Sequence, residues 1–279
     1  MSQVFVFPGQ GSQKLGMGAE LFAEFKDLVT EADNILGYSL EELCVDGPIE
    51  RLSQTQFTQP ALFAVNAMTY LKHVEETGEQ PAFTAGHSLG EYNALYAAGV
   101  FDFSTGLKLV KKRGEIMSQV EGGGMAAVLA MEPENIKSVL ENSGFTSIDV
   151  ANLNSPKQTV LSGMKDDIVA AEQAFKDAGA KRYIVLPVSG AFHSRYMEAP
   201  QNEFTEYASQ FEFKAPNIPV ISNLNARPYE ADKILETLTG QISNSVRWVE
   251  TIQYLRKQGE FEYIELGPGG VLTSLIKQI

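Results

Sequence analysis

The chain has little of several things, and each shortage excludes a class of protein. Among its 279 residues there is a single cysteine, Cys44, so no internal disulfide can form. Cys44 sits in the apolar context EELCVDG without an acid–base partner beside it, which marks it as a core residue. Positive charge is scarce: 22 Lys and Arg face 35 Asp and Glu, for a formal charge of −13. That balance works against non-specific binding to nucleic acid or to an anionic membrane. The basic pairs that do occur, Lys111-Lys112 with Arg113 and Lys181-Arg182, read first as a solvated helix face or strand end. Long apolar runs are missing as well: no stretch approaches the roughly 18 residues of a membrane span. The opening MSQVFVFP lacks the basic lead and apolar core of a targeting segment. A soluble, cytoplasmic protein is expected. There is no 20–50-residue repeat and no low-complexity tract.

What is present is a chain that is 44% hydrophobic and 20% charged, enough for one large domain or two smaller ones. Val4 to Phe7 reads as a buried strand ended by Pro8 and the loop GQGSQ. Apolar residues from Phe22 to Leu36 have amphipathic-helix spacing, closed by Gly37. Asp102 caps a further helix through Leu107, Val110, Arg113 and Met117, with Arg113 and Met117 on one face. After the break at Gly122–Gly124 the order becomes strand 125–131, helix Glu134 to Asn142, strand SIDVAN, strand TVLSG, helix Asp166 to Ala178 and strand RYIVLPVS, which ends at Ser189. This β-α-β-β-α-β order predicts a ferredoxin-like unit over 125–189. It is inserted into a larger α/β unit, residues 1–124 and 190–279. The larger unit resumes with a strand at Ile218 to Ser222, a helix around Trp248 to Lys257, the strand YIEL, the turn GPGG and a last helix from Val271. A mainly parallel sheet covered on both faces follows.

AGHSLGEY, residues 85–92, carries the chemistry. Gly86-His87-Ser88-Leu89-Gly90 fits the G-x-S-x-G elbow, in which small residues let a strand turn sharply into a helix and lift the serine above the sheet. The turn presents the Leu89 N–H and the helix N-terminus to an oxyanion. A serine needs a base, and the chain has three histidines. His73, in YLKHVEE, falls on an exposed helix, and His87 points away from its neighbour on the turn. His193, in SGAFHSRYM, follows a strand end where α/β loops carry function, and by elimination it is the base. No aspartate stands out to orient it, and a backbone carbonyl could do so instead. GQGSQ is not a dinucleotide loop, because the third glycine position is Lys14. It is kept as a tight turn that brings backbone N–H groups near a ligand.

Taken together, FPGQGSQ, TQPAL, AGHSLGEY, KKRGEIM, GGGMAAV, NLNSP, GAFHS, SVRW and GPGGVLTSL resemble the malonyl-CoA:acyl-carrier-protein transacylases, from the first strand to the last helix. The chain looks most like the discrete, trans-acting acyltransferases of modular polyketide synthases. The resemblance implies a large α/β-hydrolase-like subdomain with an inserted ferredoxin-like one. It makes Ser88 the acylated nucleophile and His193 its base, with the N–H groups of Gln10 and Leu89 as the oxyanion hole. It makes Arg113 the ligand of the acyl carboxylate and the carbonyl of Gln241 the group that holds the histidine. Gln59, Met117, Asn154 and Phe192 fall in or near the pocket, and Phe192 stands where a bulky aromatic accompanies unbranched malonyl. The activity implied is malonyl transfer from malonyl-CoA to the phosphopantetheine thiol of an acyl carrier protein, for polyketide or fatty-acid biosynthesis, with no metal and no redox cofactor. Ser245 and Arg247 depart from the residues common at their positions in the family. An acidic carrier would have to be met by patches such as Lys181-Arg182 and Arg195. Every role is filled within one chain, which suggests a monomer. Two alternatives are an acyl hydrolase that clears carrier proteins and a non-catalytic carrier-protein partner. Arg113 weighs against the first, since a site for neutral acyl groups has little use for a buried guanidinium.

Overall fold

A computed structural model describes residues 2–188 and 190–279. The chain runs β1 (Gln3–Phe7), α1 (Ala19–Phe22), α2 (Lys26–Leu36), α3 (Leu40–Val45), α4 (Ile49–Leu52), α5 (Thr55–Thr77), β2 (Phe83–Gly86), α6 (Gly90–Ala97) and α7 (Phe103–Ser118). It continues through β3 (Gly123–Leu129), α8 (Pro133–Asn142), β4 (Asp149–Ser155), β5 (Gln158–Met164), α9 (Lys165–Asp177) and β6 (Arg182–Val185). It closes with α10 (Glu198–Ala208), β7 (Val220–Ile221), α11 (Ile234–Gly240), α12 (Trp248–Gln258), β8 (Glu262–Glu265) and α13 (Val271–Ile276).

Two sheets divide these strands. In the first the order is β7-β2-β1-β8 and every pairing is parallel. Its second strand from the edge, β1, is buried on both faces, Val4 to Phe7 being 0% exposed. A strand covered on both sides has no polar face to show, which is why it reads as an unbroken apolar run. The second sheet is antiparallel, in the order β4-β5-β3-β6. Helices α8 and α9 join its strands in the β-α-β-β-α-β order, and Ile136, Ile168 and Phe175 seal its own core.

Three expectations need correction. The single helix from Phe22 to Leu36 is two, because Phe25 takes φ −104° and ψ 43°, outside the helical region. The strand expected to run from Arg182 to Ser189 ends at Val185. Leu186 still donates to the Met125 carbonyl at 2.8 Å, but Pro187 has no N–H to continue the ladder, and Ser189 lies outside the described residues. His73 is not on an exposed face: it is half-buried, its ring 5.0 Å from Phe5 and edge-on. Cys44, as expected, is fully buried.

The carboxyl ends of β1 and β2 lie side by side, with Phe7 paired to Gly86. A parallel sheet offers its ligand crevice there.

Candidate functional site

The elbow is built by backbones that touch. A Cβ on Gly90 would lie 2.0 Å from the Phe7 carbonyl oxygen, and one on Gly9 would lie 2.2 Å from the His87 carbonyl oxygen. Only glycine permits this approach between the loop after β1 and the turn after β2. It leaves Ser88 at φ +50°, a left-handed conformation that costs energy and is held by its surroundings. Asn223, just after β7, supplies part of that hold. Its Oδ1 accepts from the Ser88 N–H at 2.7 Å and its Nδ2 donates to the Gly86 carbonyl at 2.7 Å. The N–H groups of Gln10 and Leu89 find no acceptor among the described residues. They are free to meet an oxyanion beside Ser88.

His193 is 4% exposed and stands at φ +57°. Its Nε2 is 2.8 Å from Ser88 Oγ, while Nδ1 faces the carbonyl oxygens of Gln241 at 2.9 Å and Asn244 at 3.2 Å. Carbonyls only accept, so the hydrogen-bond partners assign the proton to Nδ1 and leave Nε2 as the bare acceptor for the serine hydroxyl. Burial, and next the Arg113 charge, push the imidazole down to about 3. It is neutral at physiological pH, with Nε2 open to accept a proton.

Arg113 projects from α7, whose start is capped by Asp102 accepting from the Thr105 N–H at 2.8 Å. The guanidinium is 1% exposed. Nη1 donates to Gln59 Oε1 at 2.7 Å, and Nη2 to Gln241 Oε1 at 2.8 Å and Ser88 Oγ at 3.2 Å. Its Cζ lies 5.5 Å from the Tyr92 ring centroid. Nε is buried without a partner. No carboxylate of the described residues forms an ion pair with it. A buried cation without a direct counter-ion, its edge on the nucleophile, is complementary to an incoming anion.

Ser88, His193, Arg113, Gln10, Gln59, Met117 and Phe192 line one cavity of about 120 Å³, together with His87, Met125, Asn152, Leu186 and Val188. A larger groove of about 750 Å³ shares Gln10, Leu186 and Val188 with it and runs out past Thr55, Gly124 and Lys165. A long substituent could thus lie in the groove with its reactive end at Ser88. Leu89 and Gln241 are fully buried behind the cavity wall. Asn154 does not line it: its Oδ1 is 2.7 Å from His87 Nε2, and Asn152 takes the pocket position. The β4–β5 register shifts between Val150 and Asn152 and again between Leu153 and Ser155, and irregularities of this kind change the direction of the side chains beside them.

Sequence reasoning missed Asn152, Met125, Asn223, Asn244, Glu91 and Tyr229. Of these Glu91 had a local signal, an acid inside the apolar helix that follows the elbow. Arg195, expected as part of a basic patch, forms an ion pair with Asp149, and Lys112 one with Glu203 at 2.9 Å. Lys181 and Arg182 are exposed.

Comparison with known proteins places the chain in a family. Residues 4–279 match the model of the acyl transferase domain family. The polyketide biosynthesis protein ThaF of Burkholderia thailandensis is 53% identical over 275 residues, 99% of this chain but only 24% of that longer protein. The polyketide biosynthesis malonyl CoA-acyl carrier protein transacylase PksC of Bacillus subtilis is 52% identical over 277 residues, 99% of this chain and 96% of that one. A crystal structure of malonyl CoA-acyl carrier protein transacylase from Burkholderia pseudomallei superimposes with a TM-score of 0.96 at 49% identity, covering 100% of this chain and 97% of that one.

Proposed function

Because the chain belongs to the acyl transferase domain family, we propose that it moves malonyl from malonyl-CoA to the phosphopantetheine thiol of an acyl carrier protein through a malonyl-Ser88 ester, in polyketide biosynthesis. The observation that carries this reading is Arg113, a buried guanidinium 3.2 Å from the nucleophilic oxygen. It gives the site a reason to select an acyl group that ends in a carboxylate.

In the first half-reaction His193 Nε2 takes the Ser88 hydroxyl proton as Oγ attacks the thioester carbonyl. The tetrahedral oxyanion is received by the Gln10 and Leu89 N–H groups. The C–S bond breaks, the CoA sulfur takes the proton from the imidazolium, and the malonyl ester stays on Ser88. In the second, His193 takes the proton of the carrier thiol, the sulfur attacks the ester carbonyl, and the C–O bond breaks to return the proton to Ser88. The steps draw on the chain's own groups and two thiols. Lys181-Arg182 is the basic patch left to meet an acidic carrier, since Arg195 is paired. No helix among the described residues is long and apolar enough to cross a membrane, and we place the reaction in the cytoplasm, with one chain sufficient for the site.

The test is intact-protein mass spectrometry after brief exposure to malonyl-CoA, with Ser88→Ala as control and a holo carrier protein added second. A malonyl adduct that is absent in the variant and passes to the carrier supports the transferase. No adduct, with acyl groups instead released from a loaded carrier into water, replaces it with the hydrolase.

A further inference from the structure

Glu91, the second residue of α6, is fully buried and takes no part in the steps above. Three donors converge on its carboxyl group. The Asn223 N–H and Gln241 Nε2 each lie 3.0 Å from Oε2, and the Tyr229 hydroxyl donates to Oε1. Gln241 Nε2 also donates to the Ser88 carbonyl at 2.8 Å, while its Oε1 accepts from Arg113 Nη2 at 2.8 Å. A guanidinium only donates and a carboxylate only accepts. The two ends therefore fix which way the Gln241 amide faces, and that one amide bridges the Glu91 carboxylate to the Arg113 guanidinium.

That insertion resolves a conflict. A buried guanidinium without a counter-charge is costly, yet a carboxylate in direct contact would occupy the N–H groups an acyl carboxylate needs. We infer that Glu91 is a positioning residue and the resident counter-charge of Arg113, acting through Gln241 to hold the guanidinium and to moderate its grip on the substrate carboxylate. This rests on the malonyl-transfer reading above.

Glu91→Gln deletes the charge and keeps the contacts. Its carbonyl oxygen can accept from Asn223 and Gln241, and its amide can donate to the Tyr229 oxygen. Acylation of Ser88 is followed by rapid quench and intact mass over a range of malonyl-CoA and, separately, acetyl-CoA concentrations, at about pH 8.5. With the opposing charge gone, the malonyl-to-acetyl ratio of acylation kcat/KM is expected to rise roughly three- to tenfold, through a lower malonyl KM. A ratio that is unchanged, or that falls, overturns the inference, since loss of mere structural support would weaken malonyl binding. If wild-type protein forms no malonyl adduct at all, the transfer reading has failed instead.

A second measurement needs no variant. Burial pushes the Glu91 carboxyl up to about 7 against its three donors and Arg113. The groups around it hold their charge state near neutrality: Arg113 on α7 stays a cation, Tyr92 on α6 and Tyr229 after β7 are pushed up by burial, and His193 is pushed down to about 3. Protonating Glu91 therefore imitates the substitution. The wild-type malonyl-to-acetyl ratio should fall between about pH 6 and about pH 8.5, and in Glu91→Gln it should stay level. A wild-type ratio that does not fall refutes the proposal even if the variant does not fold.

Discussion

Replacing Arg113 by alanine tests the acyl selectivity at its source. The guanidinium places Nη2 on Ser88 Oγ at 3.2 Å and keeps a buried, unpartnered Nε, so donors are available to a bound carboxylate. Two charge-assisted hydrogen bonds at about 1.5–3 kcal/mol each amount to about 3–6 kcal/mol. Acylation by malonyl-CoA should therefore slow by about 10²–10⁴-fold in kcat/KM, while acetyl-CoA, which has no carboxylate, changes far less. Stability should move little. The substitution leaves Gln59 Oε1 and Gln241 Oε1 without their donor, at about 1–3 kcal/mol each, but it also removes a buried cation with no direct counter-ion. Arg113→Lys keeps the charge, loses the forked geometry and should fall between wild type and alanine. The assay is rapid-quench intact mass with both thioesters at matched concentrations. Equal losses with malonyl-CoA and acetyl-CoA would refute the reasoning, because they would make Arg113 a prop for Ser88 rather than a ligand for the acyl carboxylate.

Two further outcomes follow from the same site. Phe192, 6% exposed and on the cavity wall, should exclude a branched acyl group, so Phe192→Ala should raise methylmalonyl relative to malonyl acylation by about 10–200-fold; competition between the two thioesters, read by adduct mass, would contradict this if the ratio stayed put. For acid stability, His193 is lowered from 6.5 to about 3, so the unfolded chain binds the extra proton between those values and the native state loses stability as pH falls through that window. Glu91, raised from 4.5 to about 7, works the other way over the overlapping range, so the comparison must be between wild type and His193→Ala. The unfolding free energy of wild type relative to the variant should drop by about 2–3 kcal/mol between about pH 6.5 and about pH 4.5. A difference independent of pH in denaturant titrations would show that the imidazole is not held neutral.

How much of this was legible depended on the range over which each signal acts. Val4 to Phe7 stood out because a strand covered on both faces is apolar throughout, and the elbow because backbone contact at Gly9 and Gly90 forces the residue type. The second sheet was readable from the alternation of two helices with four strands. Helix α5 was legible only towards its end, where His73 falls on a helix: it opens with Thr55, Gln56, Phe57, Thr58, Gln59 and Pro60, a largely polar start with a proline that carries no clear helix signal, and tertiary packing holds it helical. Asn223 and Tyr229 reach Ser88 and Glu91 from more than 130 residues away, and such pairing leaves no periodic trace. Asn154 stands one contact from the cavity, on His87, and its exact place was not legible because a register shift changes a side chain's direction without changing the sequence around it.

The contact of Gly9 with the His87 carbonyl has a consequence for how such an enzyme can diversify. Both N–H groups beside Ser88 belong to main chain held by that contact, so no side-chain replacement can retune them separately. Changes of acyl group enter instead through side chains that line the cavity, among them Arg113, Met117, Met125, Asn152 and Phe192. Descent with modification can then vary the cargo of this protein while the reactive apparatus passes on unaltered.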